Sequence, residues 1–290
     1  MSPLISILTP AYAAERFICE AVRSVLAQSY PHWEMIVIAD DERDYQGLLA
    51  QSGITDSRLK FAYSRGVGSG PNAARNIGLN IARGEWIAPL DADDSYYSSR
   101  LERLLEAAQD TGLALDNVNI VGEGFSDVGG SVPNCDPVFS DAVFSNDVVG
   151  PFGFEQCCAS LVPLLFLFHK RHIAHPWDED VVRGADTLFN FRALESANLA
   201  GYVNIPLHSY RVHNKSMCHA QGSEDLFNQA YDYTLTRLKN DGLGFKTEKF
   251  RQLMIGMLEE KQTINLAFDR AVQNGYVGNY QSYVKSQQLR

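Results

Sequence analysis

Asp91-Ala92-Asp93-Asp94 puts three carboxylates into four residues, directly after the apolar run Trp86 to Leu90. Side chains two apart at a strand end face the same way, so Asp91 and Asp93 can converge on one point. Like charges this close repel, and a divalent cation between them removes the cost. Oxygen ligands alone suit Mg2+ or Mn2+, above all where phosphates complete the shell. A solvated turn that caps the following helix is the plain alternative. Asp40-Asp41 closes a second apolar run, Met35 to Ala39, where a carboxylate can accept a hydrogen bond from a base or ribose. Arg75 stands behind a glycine-rich loop (Gly66, Gly68, Gly70), where its fork of donors can reach a diphosphate; the alternative is a surface salt bridge. A bound nucleotide diphosphate accounts for all three features together.

Such groups need elements to hold them. Leu4 to Leu8, Met35 to Ala39, Leu59 to Tyr63 and Trp86 to Leu90 read as strands, the first two as buried strands of a parallel sheet. Pro89, which donates no backbone hydrogen bond, counts against a central place for the last. Between them, Glu15 to Gln28 and Asn72 to Arg83 carry apolar residues at helical spacing. Pro71 suits a first helical turn and Gly84 a C-terminal stop. The alternation predicts βαβ units, whose ligands bind beyond the carboxyl ends of the strands, where Thr9, Asp40 and Asp91 fall. Asp127 to Pro151 reads as loop, Ser160 to Phe168 as strand, Asp186 to Ala197 as helix, and residues beyond about Gly222 as helices only.

The chain has 290 residues, 45% hydrophobic and 21% charged, with a formal net charge of -10. That acidity argues against nucleic acid as a partner, since phosphate binding needs a basic footprint. Five cysteines without CxxC spacing argue against a disulfide framework or a structural zinc site; adjacent Cys157 and Cys158 read as small buried side chains before they read as a redox pair. The longest apolar run, Leu161 to Phe168, is too short to span a bilayer, and the first ten residues lack a signal-peptide pattern. A cytoplasmic protein without a transmembrane segment is expected, with room left for peripheral membrane association or a homo-oligomer.

Four segments occur in a familiar order: Ile5-Ser6-Ile7-Leu8-Thr9-Pro10-Ala11-Tyr12, then Ala21 to Tyr30, then Asn72-Ala73-Ala74-Arg75-Asn76-Ile77-Gly78-Leu79, then Ala82 to Asp94. Together they resemble the family-2 glycosyltransferases of GT-A fold, over roughly the first 215 residues. The resemblance implies a Rossmann-like, mostly parallel sheet flanked by helices. Residues 1–220 would form the GT-A domain, with 1–100 as the nucleotide half and 101–220 as the acceptor and catalytic half. Residues 221–290 would be a helical C-terminal extension. It also implies transfer of a sugar from a nucleotide-sugar donor, UDP-linked by preference, to a glycan, lipid-linked or protein acceptor.

By the same resemblance, Thr9, Ala11, Tyr12 and Asp40 bind the nucleotide, and Arg75 and Arg211 reach its phosphates. Asp91 and Asp93 are the acidic metal motif, with Asp93 the chief ligand and His213 of Tyr210-Arg211-Val212-His213 a further one; His208 and His219 are its alternatives. Trp177 to Phe189 looks like the region of the catalytic base, with Asp186 at its position and Asp180 and Glu179 in reserve. An N-terminal helix cap is the other role open to Asp186. Two positions at the nucleotide edge depart from the family: Ala13 stands where asparagine is usual, and Glu42-Arg43 replaces a Gly-Ser pair. Ala185 replaces a glutamate beside the base. A sugar nucleotidyltransferase is a second reading, weakened because the turn from Thr9 to Glu15 has no glycine. A decayed nucleotide- or glycan-binding protein is a third.

Overall fold

Strands and helices alternate through the first ninety residues of the computed structural model, which describes residues 2–122, 152–158, 165–181, 183–212, 223–276 and 283. They are β1 (Ile5–Ala11), α1 (Ile18–Leu26), β2 (Trp33–Ala39), α2 (Tyr45–Gln51), β3 (Leu59–Tyr63), α3 (Pro71–Ile81) and β4 (Trp86–Pro89). Then follow β5 (Ser95–Tyr96), α4 (Arg100–Ala107), β6 (Leu113–Gly122), α5 (Phe154–Cys158), β7 (Phe166–His169), α6 (Ala185–Ala197), β8 (Gly201–Val212), α7 (Ser223–Asn240) and α8 (Glu248–Gln273).

One eight-stranded sheet runs in the order β3-β2-β1-β4-β7-β6-β8-β5. The α/β class expected from the sequence is present, and the first four strands are all parallel. The second half is mixed. β7 runs antiparallel to both β4 and β6, β8 lies parallel to β6, and the short β5 antiparallel to β8. Every residue of β2 is buried, as a strand covered on both faces requires. Its side chains alternate between two cores. Ile36 and Ile38 join Leu8, Ala74, Phe168 and Leu188 on one side. Met35 and Val37 join Ile7, Val22, Leu101 and Leu104 on the other.

β4 is central after all, between β1 and β7, and its proline is accommodated by geometry. The N–H groups of Trp86 and Leu90 point to β1, donating to Leu4 and Leu8 carbonyls. Pro89 therefore turns its nitrogen toward β7, whose pairing with β4 covers only Trp86 and Ile87. No ladder bond is lost there. Gly84 is not the helix stop: α3 ends at an extended Ala82, and a Cβ on Gly84 would lie 2.6 Å from the Leu4 carbonyl oxygen. Close backbone approach is what that glycine serves. Pro71 does open α3, behind Gly70 at φ 93°.

The helices α7 and α8 follow the expected helical tail. Leu235, Leu238, Met254, Ile255, Met257 and Leu258 extend the core that contains α3 and α6. Cys157 is buried. The expected loop from Asp127 to Pro151 lies outside the described residues, as do the first residues of the expected strand at Ser160 to Phe168. Among the described residues, no helix is long and apolar enough to cross a membrane.

Candidate active site

The parallel register sets Ala11 beside Ala39 and Leu8 beside Pro89, so Tyr12, Asp40 and Asp91 emerge along one edge of the sheet. Each meets a different fate there. Tyr12 is open, with 61% exposure, while Thr9 and Ala11 are fully enclosed and the Thr9 hydroxyl has no hydrogen-bond partner among the described residues. Asp40 is buried and already engaged. Its Oδ1 accepts from Ser64 Oγ at 2.5 Å and the Ser69 N–H at 3.0 Å, and its Oδ2 from the Gly70 N–H at 2.8 Å. The carboxylate thus shapes the glycine-rich loop, a role that the strand-end position alone did not reveal.

The acidic turn splits its carboxylates between two environments. Asp94 points inward, its Oδ2 2.8 Å from His208 Nε2 and its Oδ1 accepting the Arg211 N–H at 2.8 Å. Burial raises its proton affinity well above the ordinary range, and the charges of Asp93 and Asp91 add to this. His208, also buried, is pushed down to about 3, first by desolvation and then by the Arg100 charge. It is a neutral partner of Asp94 rather than an open metal ligand. Asp91 and Asp93 stay on the outer side of the turn, half-buried. α4 begins behind Ser99, so this turn does not cap it.

Arg75 is no surface residue. Its side chain is 2% exposed and bridges two carboxylates, giving Nη2 to Asp91 Oδ1 at 2.5 Å and Nη1 to Asp186 Oδ1 at 2.9 Å. Burial alone would lower its pKa, but the charges of Asp186 and Asp91 more than reverse this. Asp186 is not a helix cap: Gly184, at φ 78°, precedes α6, and Asp186 occupies the second helical position. It also accepts the Trp177 indole N–H at 3.1 Å. Its side chain is set deep in the protein but open on one side, with 43% exposure. Desolvation raises its pKa, Arg75 opposes that, and Asp91 adds to it.

Arg211 lies at the same edge, engaged with protein groups. It donates Nε to the Asp93 carbonyl at 2.8 Å and Nη2 to Glu20 Oε1 at 2.6 Å, with its guanidinium over the Phe17 ring. His213 and His219 lie outside the described residues. Of the reserve candidates, Glu179 accepts from Asn76, while Asp180 is exposed.

Three further contributors have roles that the sequence does not assign to them. Asn72 and Asn76 share one face of α3 with Arg75, at helical spacing. Asn72 Nδ2 donates to the carbonyls of Asp178 and Val181. Asn76 accepts the Trp177 N–H at 2.8 Å and donates to the Trp177 carbonyl at 2.9 Å and Glu179 Oε1 at 2.8 Å. Asp41, the third, accepts from the Ala13 N–H at 2.6 Å and Tyr45 Oη at 2.9 Å. The spacing Asn-x-x-Arg-Asn was the available signal for the first two.

The donor set suits a hard divalent cation. Asp91 and Asp93 are oxygen ligands two residues apart, both half-buried on the outer side of the turn. Among the described residues, no group of three or more His, Cys, Asp or Glu side chains surrounds a common point.

Comparison with known proteins agrees with this architecture. Residues 6–131 match the family described as Glycosyl transferase family 2. TuaG of Bacillus subtilis, a glycosyltransferase named for teichuronic acid biosynthesis, is 42% identical over 105 residues, 36% of this chain and 41% of its own. The structure of S. aureus TarS 1-349 in complex with UDP-GlcNAc superposes with a TM-score of 0.66 at 18% identity, covering 88% of this chain and 71% of that one. The mannosyltransferase PcManGT from Pyrobaculum calidifontis, in complex with GDP-Man and Mn2+, gives a TM-score of 0.57 at 13% identity over 99% of this chain and 80% of its own. The match spans 41% of the length of TuaG and 34% of that of the succinoglycan biosynthesis protein ExoO of Rhizobium meliloti. The fold is GT-A, and residues 6–131 carry a family-2 glycosyltransferase domain.

Proposed function

We propose that this protein transfers a sugar from a nucleotide-diphosphate sugar to an acceptor hydroxyl, with inversion at the anomeric carbon and Asp186 as the base. One observation carries the reading. The buried Arg75 binds Asp91 of the acidic turn with one nitrogen and Asp186 with the other, so the diphosphate end and the base are one side chain apart.

In this reading Tyr12 offers its open ring to the base of the nucleotide, and the loop shaped by Asp40 flanks the ribose. Thr9 and Ala11 contribute as the enclosed floor. Asp93 and Asp91, with His213, would hold Mg2+ or Mn2+, which when bound neutralises the leaving diphosphate; the Mn2+ complex of a protein of the same fold supports this. Arg211 adds positive charge to the same edge. The acceptor oxygen bonds to the anomeric carbon as the bond to the diphosphate breaks, and the hydroxyl proton passes to Asp186. A carboxylate of raised pKa is a better general base. UDP-linked donors are favoured because the fold neighbour TarS was solved with UDP-GlcNAc. The acceptor is a glycan, a lipid-linked sugar or a protein. Residues 1–100 serve the nucleotide, 101–220 the acceptor and the base, and 221–290 form the helical extension.

The test is a thermal-shift panel of UDP, GDP, CDP and dTDP with and without Mn2+, followed by turnover of the matching sugars. A Mn2+-dependent shift with one diphosphate, lost in Asp93→Ala, and turnover lost in Asp186→Asn are the expected results. Binding without turnover of any matching sugar would favour the decayed site. Pyrophosphate release from a nucleoside triphosphate would favour the nucleotidyltransferase.

A further inference from the structure

Trp177 is almost fully buried and grips α6 at two places. Its ring stacks flat on Phe189, with centroids 3.6 Å apart and planes 8° from parallel. Its Nε1–H reaches Asp186 Oδ1, three residues earlier on the same helix. The backbone of Trp177 is fixed in turn, because Asn76 bonds both its N–H and its carbonyl. Gly184, which precedes α6, supplies no side-chain cap, and the indole instead ties the second residue of the helix to the preceding segment.

Both side-chain donors to Asp186 converge on one oxygen. Arg75 Nη1 and Trp177 Nε1 each meet Oδ1, at 2.9 and 3.1 Å. A carboxylate bound twice on one oxygen cannot rotate without losing both bonds, which leaves Oδ2 as the oxygen without these donors, on a side chain that is 43% exposed. We infer that Trp177 is a positioning residue for Asp186: its indole N–H, together with Arg75, fixes Oδ1 and presents Oδ2 to the acceptor hydroxyl. The inference rests on the proposal that Asp186 is the base. Its electrostatic effect has a definite sign. The indole hydrogen bond favours the carboxylate, against desolvation and the nearby Asp91 charge, while Arg75 acts in the same sense as the indole.

Trp177→Phe tests this, since a phenyl ring can keep the stack on Phe189 but has no N–H. With a matching nucleotide-sugar, kcat is expected to fall about tenfold while the donor KM changes less than twofold. The acidic limb of the kcat profile is expected to move up by about one pH unit, the size of one modest hydrogen bond. Phe189→Leu is the control: it loosens the stack, leaves the N–H, and is expected to lower the melting temperature without moving the limb. Trp177→Phe with an unmoved limb and unchanged kcat, while Asp186→Asn is inactive, would overturn the positioning role and leave the base intact. Equal limb shifts in both variants would reduce Trp177 to packing. An active Asp186→Asn would instead remove the base, and this inference with it.

Discussion

Asp94 and His208 face each other at 2.8 Å between the residue that precedes β5 and the middle of β8, both closed to solvent. Burial favours the uncharged form of each, so the folded pair holds one proton, on the carboxyl side. The unfolded chain, with ordinary values of 3.8 and 6.5, also holds one proton on this pair between those limits. The pair therefore adds no pH dependence in that window. Asp94→Asn removes the carboxyl proton from the count. The variant is expected to lose about 1.4 kcal/mol per pH unit as pH drops below 6.5, relative to wild type. Urea melts of both proteins in EDTA, from pH 7.5 to 4.5, measure the difference in slope.

Arg75 balances two carboxylates, and neither neighbour can replace it. Arg75→Ala leaves Asp91 and Asp186 facing each other without a cation. Both partners keep a third or more of their surface, so solvent screens part of the loss; a cost of about 1–3 kcal/mol is expected rather than the full value of a buried pair. Arg75→Lys should recover little, since one ammonium cannot span both carboxylates as the planar fork does. Denaturant midpoints with turnover on the same preparations separate the stability loss from the catalytic one.

The Asn76 side chain holds the segment that carries Trp177. Asn76→Ala removes three hydrogen bonds to buried or half-buried groups, and a loss of about 1–3 kcal/mol is expected. Faster amide exchange confined to residues 176–181 at a given global stability would identify the clamp as local. Uniform loss of protection across the sheet would refute it.

Ala13 and Glu42 both occupy the left-handed region, at φ 48° and 59°. An asparagine and a glycine, the residues usual at these two places, bear that conformation with less strain. Glu42→Gly is expected to raise stability by about 0.5–1 kcal/mol, and Ala13→Asn by a few tenths. Differential scanning calorimetry reads both. A melting temperature lowered by Glu42→Gly would mean that its side chain contributes more than the strain costs.

The strands β1 to β4 and the placing of Asp40 and Asp91 along one sheet edge were legible in the sequence because parallel strands here are short, mostly apolar runs ending in polar residues. The mixed half of the sheet was not. β6 interleaves Asp116, Asn117 and Asn119 with its apolar residues, and Asp116 is buried only because Arg100 meets it at 2.8 and 3.0 Å from an element sixteen residues away. Such a pair has no local signature. The same limit hid the work of Asp40, whose partners Ser64, Ser69 and Gly70 lie across the loop. Asp186 was found by its surroundings in the chain, but its separation from the cap position became visible only with the αL turn at Gly184.

The position of β7 bears on how far this chain can be taken apart. In space β7 sits between β4 and β6, yet in the chain it follows both and lies beyond residue 131. A fragment ending at residue 131 would have a gap in its sheet, and the partners of Asn72 and Asn76 would be missing as well. Residues 6–131 are thus a stretch of recognisable text but not a transplantable part. Chimeras between relatives would need to carry the segment around β7 and α6 along with residues 6–131, since the two are closed into one sheet by a strand that enters it late in the chain.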